Sequence, residues 1–126
     1  MKDIMIVAGD VLVWGRLNES ETAEKIWQAL PFEGTAALWG DEIYFEIPVV
    51  APQAPDARVD VGVGTLAYWP IGHALCIFFG PTPASVDEQP RAYNPVNVVG
   101  QLFGDVQALR RVRHGDRVRV APAEAK

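Results

Sequence analysis

The chain has 126 residues, one cysteine and a formal charge of −5 at neutral pH. That length suits one domain that buries about two-thirds of its unfolded surface, and no second core is expected. The acidic balance, with an isoelectric point near 4.9, opposes nonspecific attraction to nucleic acid or anionic lipid, so the expected partner is a small molecule or a peptide.

The start, Met1-Lys2-Asp3 and a short apolar run over residues 4–8, lacks the long apolar segment of a signal peptide, and no stretch has membrane-spanning length. The expectation is a cytoplasmic, soluble protein. Residues 3–8 and 11–17 are apolar, β-branched runs joined by Gly9-Asp10, the signature of a hairpin. A helix follows over residues 20–30. Asn18 with Glu21 resembles a capping box and Ser20 is the competing cap, while Ala23, Ile26, Trp27 and Leu30 share one face. Pro31 disfavours helical geometry at Leu30 and should end it.

Residues 34–39 and 42–47 read as a second hairpin around Gly40-Asp41. In its second strand Ile43, Phe45 and Ile47 alternate with Glu42, Tyr44 and Glu46, which predicts one core face and one polar face. Prolines at 48, 52 and 55 make residues 48–57 a surface loop. Residues 58–63 and 65–69 are strand segments interrupted at Gly62 or Gly64. Residues 74–79 are apolar at every position, so that strand must be covered on both faces, and Cys76 within it reads as a buried thiol. Residues 81–95 form a long proline-rich loop. Residues 96–103 are another strand. Asp105 then caps a short helix that turns Val106, Leu109 and Val112 inward and stops near Gly115. Residues 117–120 alternate as a closing strand, and residues 121–126 are expected to fray. About eight short strands and two helices, without a βαβ rhythm, predict a mainly β protein: a closed or nearly closed antiparallel barrel.

Several motifs fall in a familiar order. Phe32-Glu33-Gly34, Tyr44-Phe45-Glu46-Ile47-Pro48, the run from Leu75 through Gly80-Pro81-Thr82-Pro83, and Val98-Val99-Gly100-Gln101 together resemble a miniature cyclophilin. Trp39-Gly40-Asp41-Glu42-Ile43-Tyr44-Phe45, Tyr68-Trp69-Pro70 and Asn97-Val98-Val99-Gly100 are similar to the small prokaryotic cyclophilin-like family of unknown function. The resemblance implies a cyclophilin-like barrel over nearly the whole chain. It implies no settled activity.

Cyclophilins lower the barrier to prolyl isomerisation, about 18–20 kcal/mol, with an apolar pocket and an arginine directed at the prolyl amide. The resemblance places that arginine at Phe45 or Glu46, and the pocket phenylalanine at Val99. Neither Phe45 nor Glu46 supplies guanidinium donors, which leaves Arg58 or Arg16 as substitutes from other strands. The expected function is therefore a binding protein that holds a proline-containing peptide or a small apolar ligand in a side groove. A weak or divergent peptidyl-prolyl isomerase is the alternative.

The groove is expected to have Trp39 and Trp69 as floor and Tyr44 and Tyr93 as walls. Glu42, Asn94 and Asn97 are its polar groups, a makeup usual for small-molecule sites. Ordinary core and rim packing is the plain alternative for these aromatics. Glu42 and Glu46 could pair for acid–base work, although a solvated strand face explains them as well. His73 and Cys76, three apart, point to opposite faces of a strand and predict no metal site, and no cofactor motif is present. Arg110, Arg111, Arg113, Arg117 and Arg119 form a basic cluster without the aromatic platform of a nucleic-acid site.

Overall fold

Alternating apolar residues make β1 (Lys2–Ala8) and β2 (Val11–Leu17) a hairpin in the computed structural model, which describes residues 2–123. Helix α1 (Glu21–Ala29) follows. Ser20 is its cap, with Oγ accepting from the Ala23 N–H at 3.2 Å, and Asn18 Oδ1 supports the cap by accepting from Ser20 Oγ at 2.6 Å. The helix ends where Leu30, ahead of Pro31, turns extended at φ −66° and ψ 148°. Thr22, Ala23 and Ile26 are buried, whereas Trp27 and Leu30 are only partly covered. The helix stripe is thus narrower than the sequence predicts.

The single strand expected over residues 34–39 is broken in two. β3 (Phe32–Thr35) pairs with β10 (Arg117–Pro122), while β4 (Ala37–Leu38) pairs with β5 (Glu42–Glu46). Trp39 and Glu42 exchange backbone hydrogen bonds of 3.0 and 3.2 Å across the Gly40-Asp41 turn. Gly40 needs to be glycine twice over: its φ is +59°, and a Cβ would lie 2.8 Å from the Pro83 ring. The segment after the central strand is therefore packed directly on this turn.

The remaining strands are β6 (Arg58–Asp60), β7 (Thr65–Trp69), β8 (Ala74–Phe78) and the long β9 (Arg91–Phe103). A 3-10 helix, Val106–Arg111, is capped by Asp105 and buries Leu109. It ends before Gly115, which instead turns the chain into β10 at φ +95°. The loop expected over residues 81–95 is shorter, because β9 starts at Arg91. Pro95 is tolerated there since residues 91–96 pair on one side only, with β6, across a register shift. β10 holds through Pro122, opposite Ile4, so Ala121 and Pro122 do not fray; residues 124–126 lie outside the described residues.

Among the described residues the sheet runs β3-β10-β1-β2-β9-β7-β8-β5-β4, with antiparallel neighbours throughout and β6 attached to β9 off that path. Its end strands, β3 and β4, are not bonded to one another, so the expected barrel of about eight strands is an open, curled sheet of ten. The curl brings β3 against β5, with the Phe32 and Phe45 rings 6.3 Å apart. Inside the curl lies the main core, including Ile4, Ile26, Ile43, Leu66, Leu75 and Ile77. A second, smaller cluster lies outside, where Ala67, Cys76 and Phe78 meet Val61, Ala92 and Val96 of the outer layer. β8 is buried at every position because it contributes to both. No helix among the described residues is long and apolar enough to cross a membrane.

Candidate functional site

The register of β5 against β8 sets the site. Glu42 lies opposite Phe78, and Tyr44 opposite Cys76, so these four side chains share the outer face while Ile43, Phe45, Leu75 and Ile77 face the core. Residues 91–96 of β9 cross over that outer face, and the cover is incomplete. A cavity of about 240 Å³ remains, lined by Trp39, Glu42, Tyr44, Trp69, Cys76, Ala92, Tyr93, Asn94 and Val96. Six of the seven residues expected in the groove therefore meet in one cavity.

Their arrangement differs from the expected one. The floor is not Trp39 and Trp69 but the buried Glu42, Cys76, Ala92 and Val96. The four aromatic side chains form the walls, from half-buried Trp39, Tyr44 and Trp69 to Tyr93 at 73% exposure. Trp39 and Tyr93 meet edge to face at 5.8 Å and 87°, and Tyr44 and Trp69 at 6.0 Å and 89°. The Trp69 indole N–H also donates to Asn94 Oδ1 at 3.1 Å, which ties the end of β7 to the outer layer.

Asn97 does not join them. It is buried beside α1, where its amide donates to Thr22 Oγ1 and to the Pro52 carbonyl, each at 3.0 Å, and its oxygen accepts from the Ala54 N–H at 2.8 Å. At Asn97 β9 leaves the outer layer and pairs with β7, opposite Tyr68, which separates Asn97 from Asn94. Asn97 holds the proline-rich 48–57 loop onto the helix.

Glu42 was expected as a polar group of the groove, but its depth is new. It is not on a solvated strand face: only 6% of its surface is exposed. Burial pushes its carboxyl up from 4.5 to about 7, against a smaller downward effect of the hydrogen bond with Cys76. The Cys76 thiol is itself pushed up by burial and by the neighbouring carboxylate, and so stays protonated as a donor. Glu46 is exposed, so the two glutamates do not form a carboxylate pair. Alternation alone did not reveal the buried carboxyl; the all-apolar β8 did carry a signal, since its covered outer face extends to the strand beside it.

Among the described residues the cavity lining contains no arginine or lysine. Arg58 is exposed on β6 and Arg16 is bonded to Asp3 at 2.6 Å, so neither substitutes for the cyclophilin arginine. His73 is exposed on a turn at φ +51°, apart from buried Cys76. The arginine cluster is dispersed over carboxylates: Arg110 on Asp41 at 2.9 Å, Arg111 on Asp10 at 3.4 Å, and Arg117 on Glu33.

A curled antiparallel sheet with an aromatic-walled cavity on its outer face defines the class, a mainly antiparallel β-sheet protein. The sequence profile of the family described as Cyclophilin-like matches residues 2–121, and the chain belongs to that family. A hypothetical protein from Archaeoglobus fulgidus, known from a solution structure, is 35% identical over 97% of this chain and 95% of its own, with a TM-score of 0.81. McbB, solved in complex with tryptophan, is 20% identical with a TM-score of 0.66, a likeness of fold alone. It is matched over 98% of this chain, which spans 46% of McbB's length. No curated protein matches.

Proposed function

We propose that the protein is a ligand-binding module on a curled cyclophilin-like sheet, and that the cavity walled by Trp39, Tyr44, Trp69 and Tyr93 is its binding site. The observation that carries this reading is the cavity itself: apolar walls converge on one buried polar group, the usual makeup of a small-molecule site. Its volume of about 240 Å³ lies below the range of drug-sized sites, roughly 300–1,000 Å³. It suits a small molecule, or a single side chain of a proline-containing peptide. A cytoplasmic setting suits the one cysteine, a buried free thiol. The acidic balance and the pairing of Arg110, Arg111 and Arg117 with carboxylates favour neither nucleic acid nor anionic membrane as partner.

The isomerase alternative has less support, because the lining offers no guanidinium to the prolyl amide. Tryptophan fluorescence titrated with a library of metabolites and proline peptides tests the main reading. A bound ligand should lose about tenfold or more in affinity on Trp69→Ala, with the fold retained. Shift changes on binding that cluster at Arg110–Arg119 instead of the cavity would move the site to the basic face. Purified protein should not accelerate cis–trans interconversion of a proline tetrapeptide.

A further inference from the structure

Four aromatic walls and one acidic floor make an unusual combination. Rings that meet at 87° and 89° form two corners of a box rather than two stacks. The π faces of tryptophan and tyrosine attract cations, and sets of such rings recognise alkylated ammonium groups. At the base of the box Glu42 is more than nine-tenths buried, and among the described residues its side-chain partner is the weak S–H donor of Cys76. Such a carboxyl has a weak donor on the protein side and borders the cavity, where a charged partner would be favoured. A neutral apolar ligand would fill the cavity and remove the last water from Glu42 without compensating it. An anion would meet a carboxylate and, among the described residues, no basic group. A cation answers both features at once.

We propose that the cavity is a receptor for an organic ammonium cation of side-chain size, held between the faces of Trp39, Tyr44, Trp69 and Tyr93 with its charge against Glu42. The inference rests on the binding-site reading above and adds the chemical class of the ligand. A metal ion is a poorer fit, since no group of three or more His, Cys, Asp or Glu side chains gathers among the described residues.

The interaction requires Glu42 ionised, which couples affinity to pH. The titratable groups that share the cavity lining with Glu42 are the Cys76 thiol from β8, Tyr44 from β5 itself and Tyr93 from β9. Asp41, next in the chain, is neutralised by Arg110 of the 3-10 helix at 2.9 Å, and the outer layer carries the Arg91–Asp60 pair at 3.4 Å. With the Glu42 carboxyl near 7, affinity for a permanent cation should rise roughly thirtyfold between about pH 5.5 and about pH 8.5, following the ionised fraction.

Calorimetric titration of the whole chain tests this with choline and its uncharged carbon isostere, in which tert-butyl replaces trimethylammonium. At about pH 8.5 choline should bind at least about tenfold tighter than the isostere. The preference should vanish in Glu42→Gln and shrink toward about pH 5.5. Tyr93→Ala, at an exposed position, should weaken choline about threefold or more without threatening the fold, so the inference stays testable should Glu42→Gln fail to fold. An isostere that binds as tightly as choline, weakened by Trp69→Ala, overturns the ammonium inference and leaves the binding-site reading standing. Absence of choline binding at about pH 8.5 also overturns the inference, and the library titration then decides the binding-site reading separately.

Discussion

The inner and outer faces of β5 and β8 are built by the same two strands in the same register, yet they do different work. On the inner face Ile43, Phe45, Leu75 and Ile77 are at most 2% exposed and carry no polar side-chain atom. The whole curled sheet and α1 cover them. On the outer face Glu42, Tyr44, Cys76 and Phe78 lie beneath a single layer, residues 91–96 of β9 with β6 beside them, and that layer leaves a cavity. A completely covered apolar face contributes stability in proportion to the area removed from water. The partly covered face holds a desolvated carboxyl that disfavours the fold when charged, which is how binding and catalytic sites commonly differ from cores.

Substitutions should separate the two faces. Ile77→Ala removes a side chain at 0% exposure and should cost about 2–5 kcal/mol in denaturant unfolding. Trp69→Ala, at a half-buried wall beside an existing cavity, should cost less than about 2 kcal/mol despite the larger deletion. Equal losses would mean that the outer face is core as well.

The next effect is specific to the outer face and depends on pH. Glu42 titrates at about 7 in the folded chain against an ordinary 4.5, so between these values the folded state binds more protons than the unfolded one. Stability therefore falls as pH rises through this window, by roughly 3 kcal/mol in full. Below about pH 4.5 the penalty is absent. Glu42→Gln should not show that decline, and unfolding midpoints of the two proteins across pH give the difference. Parallel pH profiles would mean that the carboxyl is solvated.

The smallest expected effect is at the rim. Asp41→Asn breaks the pair with Arg110, half of which is exposed, and should cost less than about 1 kcal/mol. A double-mutant cycle with Arg110→Ala measures it.

The difference between the faces also explains what was legible from the sequence. Periodicity reports which residues share a face, and it placed Ile43, Phe45 and Ile47 in the core with Tyr44 on the opposite face. Residues 74–79, apolar throughout, required a cover on both sides, and both covers exist. What periodicity omits is the identity of the cover. The outer one comes from β9, far along the chain, where Pro95 suggested a loop; Ala92 and Val96 were missed as floor residues, and Glu42, expected as a polar group of the groove, was not foreseen as buried. Asn97 was misplaced for a related reason, since β9 leaves the outer layer at that point and joins β7 in the main sheet. The break between β3 and β4 was equally hidden, because both halves of residues 34–39 have strand character and only the long-range pairing with β10 divides them.

The account stands most directly on the state of one carboxyl. Carbon-detected NMR titration of the Glu42 side chain measures it without a ligand. A midpoint near 7 is the result expected of a carboxyl desolvated beneath the outer layer. A midpoint between about 4 and 5, the range of exposed glutamate, would show that water reaches Glu42 freely and would contradict the outer face as a built site.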